Sequence, residues 1–235
     1  MSRKASAAPD EVARLKALVT GFEVYGGRGI NPAAEVSRAL DGARVGALEV
    51  TGVCLPVSLE EAPKRLVRLI EQTAPDITLC LGLWPGEPMI RLERIALNRA
   101  DFEIPDETGR LARDEALDPS GPDGLCATIP LQETVQALWD QGIPARLSGT
   151  AGTYLCNATM YRMLAYARSS LPGMLGGFMH LPYLPSQVAE LLAGLRAAQV
   201  LELHQRADLA SMALETMVQA VRTALSVSAS RAANA

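Results

Sequence analysis

Short apolar runs alternate along the chain with stretches whose apolar residues recur every three or four positions. The runs LKALVTGF (15–22), GALEVTGVCLPV (46–57) and DITLCLGL (76–83) have strand length, and the first and third close near a glycine. They predict buried strands. IPARLSGT (143–150) and a segment centred on GFMH (177–180) predict two more. Between them, AAEVSRALDG closes at Gly42 and predicts a short helix. LEEAPKRLVRLIEQT follows Ser58 as a candidate cap, with acidic residues early and basic ones later. Pro63 must then sit in its first turn or kink it. LQETVQALWDQG predicts an amphipathic helix closed at Gly142, a further helix follows SGTAGTY, and the clearest helical period covers 207–228.

Two segments break this rhythm. MIRLERIALN (89–98) is β-rich yet charged, with Arg91 and Glu93 on one face and Arg94 and Asn98 on the other. Residues 99–130 are polar and rich in Pro, Gly and Asp, which predicts a lid or an interface loop rather than core. Residues 1–13 and 229–235 read as flexible ends of a single domain, 1–235. Strands alternating with helices predict a three-layer α/β/α sandwich around a mixed, mostly parallel sheet. Sites in such sheets form at the carboxyl ends of strands. The GFEVYGG loop, the GLWPGEP turn and the SGTAG turn are all placed there.

Composition removes several classes. A formal charge of −4 and an aromatic share of 4% leave neither a basic footprint for phosphates nor a stacking surface for bases, so no nucleic-acid partner is expected. No apolar run reaches the roughly 18–20 residues of a membrane span, and the N-terminus lacks the apolar stretch of a signal peptide. The four cysteines, Cys54, Cys80, Cys126 and Cys156, are far apart, as expected of free thiols in a cytoplasmic protein. Only His180 and His204 could join them as metal ligands, and neither has ligand spacing; no metal is expected.

Cys156 supports two readings. Met160 and Met163 share its helix face, which suits a core cysteine. It also stands in the first turn of a helix that follows a strand, where unpaired N–H groups stabilise a thiolate or an oxyanion. A nucleophile needs a base. His180 ends the strand GFMH, where adjacent strands would bring two carboxyl ends together, whereas His204 lies among charged residues in a helical region. Glu93 is either a salt-bridge partner of Arg91 or Arg94, or the carboxylate that orients an imidazole.

The chain resembles the pyroglutamyl peptidase I family of cysteine peptidases. VTGFEVYGGRGINPAAEV is similar to its opening TGF-x-PFGG…NP, LGLWPGEPMIRLERIALN to its ERVAIN segment, and IPDETG to its IPDNxG. SGTAGTYLCN and GFMHLPYLP resemble SNTAGxYxCN and GFIHVPYLP, in the same order over about residues 15–225. The resemblance implies an α/β/α fold, often tetrameric, that hydrolyses an N-terminal pyroglutamyl residue from small peptides without a cofactor. It implies Cys156 as nucleophile, His180 as general acid/base and Glu93 as orienting carboxylate. Phe22, Tyr25, Asn31 and Leu83 fall where the family binds the lactam. Leu83 replaces the usual Gln, Trp84 and Pro85 stand in the following turn, and Glu103 replaces an Arg. A cysteine amidohydrolase with another acyl substrate, and a non-catalytic oligomeric or ligand-binding homologue, remain the alternatives. A homo-oligomer, dimer or tetramer, is expected in each case.

Overall fold

A computed structural model describes residues 15–200 and 209–233. His204 and the N-terminal residues before Leu15 lie outside those residues. Among the described residues, eight strands form one sheet: β1 (Lys16–Phe22), β2 (Arg44–Val45), β3 (Leu48–Leu55), β4 (Ile77–Leu83), β5 (Ile90–Leu97), β6 (Gly124–Cys126), β7 (Ala145–Thr150) and β8 (Leu175–Leu181). Their order is β2-β3-β1-β4-β8-β5-β6, with β7 paired to β5. Four pairings are parallel and three antiparallel, so the sheet is mixed and mostly parallel.

The described residues form six helices: α1 (Pro32–Leu40), α2 (Glu61–Thr73), α3 (Leu131–Asp140), α4 (Leu155–Ser170), α5 (Pro185–Ala197) and α6 (Leu214–Ala232). α1, α3 and α6 share one core with Val19, Leu79, Leu81, Leu92 and Met179, while α2 and α4 share a second with Leu18, Cys80 and Phe178. Alternate strand residues feed the two cores, as period-2 side chains require. α6 buries Met217, Ala220, Val221, Ala224, Leu225 and Ser228, a stripe at helical spacing. It continues to Ala232, beyond where the periodicity ends.

Local chemistry sets the boundaries. The Asn31 side chain accepts from Ala33 N (3.1 Å) and caps α1, with Pro32 in its first turn. Ser58 Oγ accepts from Glu61 N (3.2 Å), and Pro63 lies in the first turn of α2, so that helix is not kinked.

Two expectations are corrected. β7 is not adjacent to β8: β5 lies between them, and β5 and β7 both run against β8. The SGTAG turn therefore follows a strand that runs opposite to β4 and β8. The 99–130 excursion is also no free lid. Ala100, Phe102 and Ala112 are buried in the second core, and Gly124–Cys126 pairs with β5 as β6. Asp106 knots the excursion together. It accepts from Leu59 N (2.8 Å), Thr108 N (2.9 Å), Thr108 Oγ1 (2.6 Å) and Arg110 N (2.9 Å). Burial opposes its charge, but these donors hold its carboxyl below the usual range. Among the described residues, no helix is long and apolar enough to cross a membrane.

Candidate active site

Strand register assembles the site. Arg91 on β5 lies directly opposite His180 on β8, so both side chains project from one face of the sheet. Glu93, two residues on, shares that face. On the other side of His180, Gly82 of β4 is its parallel partner. α4 covers this face and brings Cys156, the second residue of the helix, over Gly82.

Gly82 is required by close approach. A Cβ on it would stand 2.8 Å from Cys156 Sγ, 3.0 Å from His180 Cδ2 and 3.0 Å from Phe178 Cζ. The sulfur and the imidazole thus lie within 3.0 Å of one point. Cδ2 is bonded to Nε2, so the ring edge nearest Gly82 carries the nitrogen that Glu93 does not use. Nδ1 is 2.7 Å from Glu93 Oε1, a hydrogen bond between two almost fully buried side chains. With Nδ1–H donating to Glu93, Nε2 is left as an acceptor.

A network of charges surrounds Glu93. Arg91 Nε is 3.1 Å from the same Oε1, Arg91 Nη1 is 3.6 Å from Glu87 Oε2, and Arg91 Nη2 donates to Ser148 Oγ (2.7 Å). Glu87 in turn accepts two bonds from Arg146 (2.7 and 3.2 Å). The Arg91 guanidinium lies 3.7 Å from the centre of the Trp84 ring, and that ring meets His180 edge-on at 4.9 Å. Glu93 is therefore both an ion-pair partner of Arg91 and the carboxylate bound to His180, while Arg94 is exposed.

Burial governs the protonation states. Desolvation, then the nearby Glu93 charge, pushes the Cys156 thiol up to about 12. Its residue is half-buried and opens on the cleft, but the sulfur itself is packed between sheet and helix. The first turn of α4 does not offset this. Burial also lowers the His180 pKa below its usual 6.5, and Glu93 only partly opposes it. At neutral pH the resting pair is a thiol beside a neutral imidazole.

Cys156 opens on a small cleft lined by Phe22, Tyr25, Asn31, Val57, Leu83, Tyr154 and Leu155. All four residues matched to lactam binding thus meet Cys156 in one place. Asn31 is already occupied there: it caps α1 and donates from Nδ2 to Glu23 O (3.0 Å), bracing the loop. Burial raises the Tyr25 phenol to about 12, so its hydroxyl stays protonated. Tyr154 donates to Pro105 O (3.2 Å), and Gly26 N donates to Glu107 Oε1 (2.8 Å), which ties both rims of the cleft to the excursion. Glu103 is exposed and outside the cleft lining. Trp84 is also absent from that lining, its ring being stacked on Arg91.

Sequence reasoning missed Tyr154, Gly82 and the role of Arg91. Gly82 carried a usable signal, since a glycine inside a buried strand marks close approach. Tyr154 stood in the SGTAGTYLCN match and Arg91 on the strand face of Glu93, but their contacts to Pro105, Ser148 and Trp84 are set by the tertiary fold.

The fold and site define an α/β enzyme with a cysteine beside a carboxylate-bound histidine at the end of a parallel strand. The family model for pyroglutamyl peptidase matches residues 15–231, and the chain belongs to that family. The pyrrolidone-carboxylate peptidase of Pyrococcus furiosus is 40% identical over 176 residues, 75% of this chain and 85% of the relative. That of Thermococcus litoralis is 37% identical over 215 residues, covering 91% and 92%. A solved structure of a mutant P. furiosus pyrrolidone carboxyl peptidase matches with a TM-score of 0.85 at 35% identity, covering 92% of this chain and 99% of the other.

Proposed function

We propose that this protein hydrolyses an N-terminal pyroglutamyl residue from small peptides, with Cys156 as nucleophile, His180 as general acid/base and Glu93 as the orienting carboxylate. The observation that carries this reading is the meeting of Cys156 Sγ and the imidazole at Gly82, with Nδ1 held by Glu93 at 2.7 Å. Cys156 attacks the pyroglutamyl carbonyl carbon while His180 Nε2 takes the thiol proton. The imidazolium forms against the Glu93 carboxylate and then gives that proton to the leaving amine. Water, deprotonated by His180, attacks the thioester and releases pyroglutamic acid, and the sulfur regains a proton.

The first-turn N–H groups of α4 precede its first intrahelical bond, from Ala158 N to Tyr154 O (3.1 Å), and such groups can donate to a developing oxyanion. Phe22, Tyr25 and Leu83 give the flat, uncharged lactam an apolar wall. Four free cysteines suit a reducing compartment, the cytoplasm. The family likeness supports a homo-oligomer, dimer or tetramer, and light scattering on the purified protein reads it.

The function is tested with two aminocoumarin substrates that differ only in the ring, pyroglutamyl and prolyl. The proposal expects release from the first alone, because the cleft accepts a neutral lactam and has no carboxylate in its lining for a prolyl ammonium. Equal release from both, or none from either, overturns it.

A further inference from the structure

We propose that Arg91 is a positioning residue: it shares the Glu93 carboxylate with His180 and sets how far that carboxylate can stabilise the imidazolium formed during acylation. This rests on the triad roles proposed above. Both partners of the carboxylate draw on a single oxygen. His180 Nδ1 is 2.7 Å from Glu93 Oε1 and Arg91 Nε is 3.1 Å from it, whereas Oε2 has no hydrogen-bond partner. The Arg91 contact is an ion pair without an aligned N–H, since Nε donates no hydrogen bond. It exerts charge on the carboxylate without fixing its direction, which the His180 bond does.

Arg91 is held in that place from three other sides. Ser148 Oγ accepts from Nη2, Glu87 lies 3.6 Å from Nη1, and the Trp84 ring supports the guanidinium face at 3.7 Å. The same Trp84 ring meets His180 edge-on at 4.9 Å, so one aromatic side chain contacts both partners of Glu93. The charged and titratable groups around the imidazole are Glu93 and Arg91 from β5, Glu87 from the β4–β5 turn with Arg146 of β7 behind it, and Cys156 from α4. Glu93 and Glu87 favour the imidazolium and Arg91 opposes it. Glu87 is thus a counterweight, reducing how much Arg91 charge reaches Glu93.

The test is an NMR titration of His180 in a His204→Asn background, which leaves a single imidazole in the chain, paired with the pH dependence of kcat/KM on the pyroglutamyl substrate. Arg91→Gln should raise the His180 pKa by about one unit, the size of effect a close charge exerts, and move the acid limb of kcat/KM to higher pH with it. Arg91→Lys keeps the charge and should restore the original value. Glu87→Gln, which can still accept from Arg146, should move the pKa the opposite way. A folded Arg91→Gln protein with an unmoved His180 pKa overturns the inference, as does a rise in Glu87→Gln. Should Arg91→Gln fail to fold, Glu87→Gln decides. Because the titration needs no substrate, moved pKa values without pyroglutamyl cleavage would sink the proposed function alone. Cleavage with unmoved values would sink only the role of Arg91.

Discussion

Gly82→Ala changes one hydrogen for a methyl at the point where sulfur and imidazole meet. The backbone tolerates it, since Gly82 is not in the left-handed region, and alanine within a strand is favoured over glycine by about 0.5–1 kcal/mol. Any loss therefore comes from contact. The new Cβ would stand 2.8 Å from Cys156 Sγ and 3.0 Å from both His180 Cδ2 and Phe178 Cζ, inside van der Waals distance of all three. His180 is pinned by Glu93 and by two rings, Trp84 and Phe178, each 4.9 Å away. The sulfur turns on one bond and is the part that yields. Overpacking of this kind costs about 1–3 kcal/mol, and at about 2 kcal/mol a chain of this size loses about 4–8 °C in Tm. Moving a nucleophile by an ångström costs about 100-fold, so kcat/KM should fall by about that factor, far more than the stability loss alone would produce. Steady-state assays and thermal melts on Gly82→Ala measure both. Gly149→Ala is the control, because a Cβ there meets nothing within 4 Å. Wild-type activity in Gly82→Ala would refute the meeting of Cys156 and His180 at Gly82.

With the Cys156 thiol raised to about 12, its alkylation by iodoacetamide should keep accelerating from pH 6 through pH 9; a plateau below pH 7 would instead reveal a resting thiolate–imidazolium pair. Because the folded His180 pKa lies below 6.5 and catalysis needs the neutral ring, kcat/KM should be full at pH 7 and decline only at pH values below 6.5; a limb centred above 7 would contradict this. Asp106→Ala removes an acceptor of four hydrogen bonds and should destabilise the protein by about 2–4 kcal/mol in urea melts, with KM rising as the cleft rims loosen; an unchanged melt would deny Asp106 its part in holding the excursion.

The layers of the fold were legible because each strand and helix carries its own period, and the two cores simply collect the apolar faces. Strand direction was not. Nothing in IPARLSGT tells which way β7 runs, and the route from β7 to α4 depends on β5 lying between β7 and β8. The excursion was misread for a related reason. Its polar composition reflects turns built around Asp106, while the few residues it buries, Ala100, Phe102 and Ala112, are too sparse to form a pattern. Cys156, His180 and Glu93 could be named from their places in the predicted elements and from the resemblance, yet the protonation state of the thiol could not. A helix N-terminus favours a thiolate, whereas the close approach of the sulfur to Gly82 goes with its burial, and desolvation raises the thiol. Arg91 looked like the bland explanation of Glu93; the register that sets it opposite His180 makes it part of the same cluster.

Cleavage of pyroglutamyl-aminocoumarin by Cys156→Ala, compared with the unaltered protein, tests the role of this thiol most directly. Loss of the nucleophile should lower kcat/KM by at least about 1000-fold while the melting temperature stays within a few degrees, since a small half-buried side chain is removed. A folded Cys156→Ala protein that retains activity within tenfold would show that the bond is broken by another group.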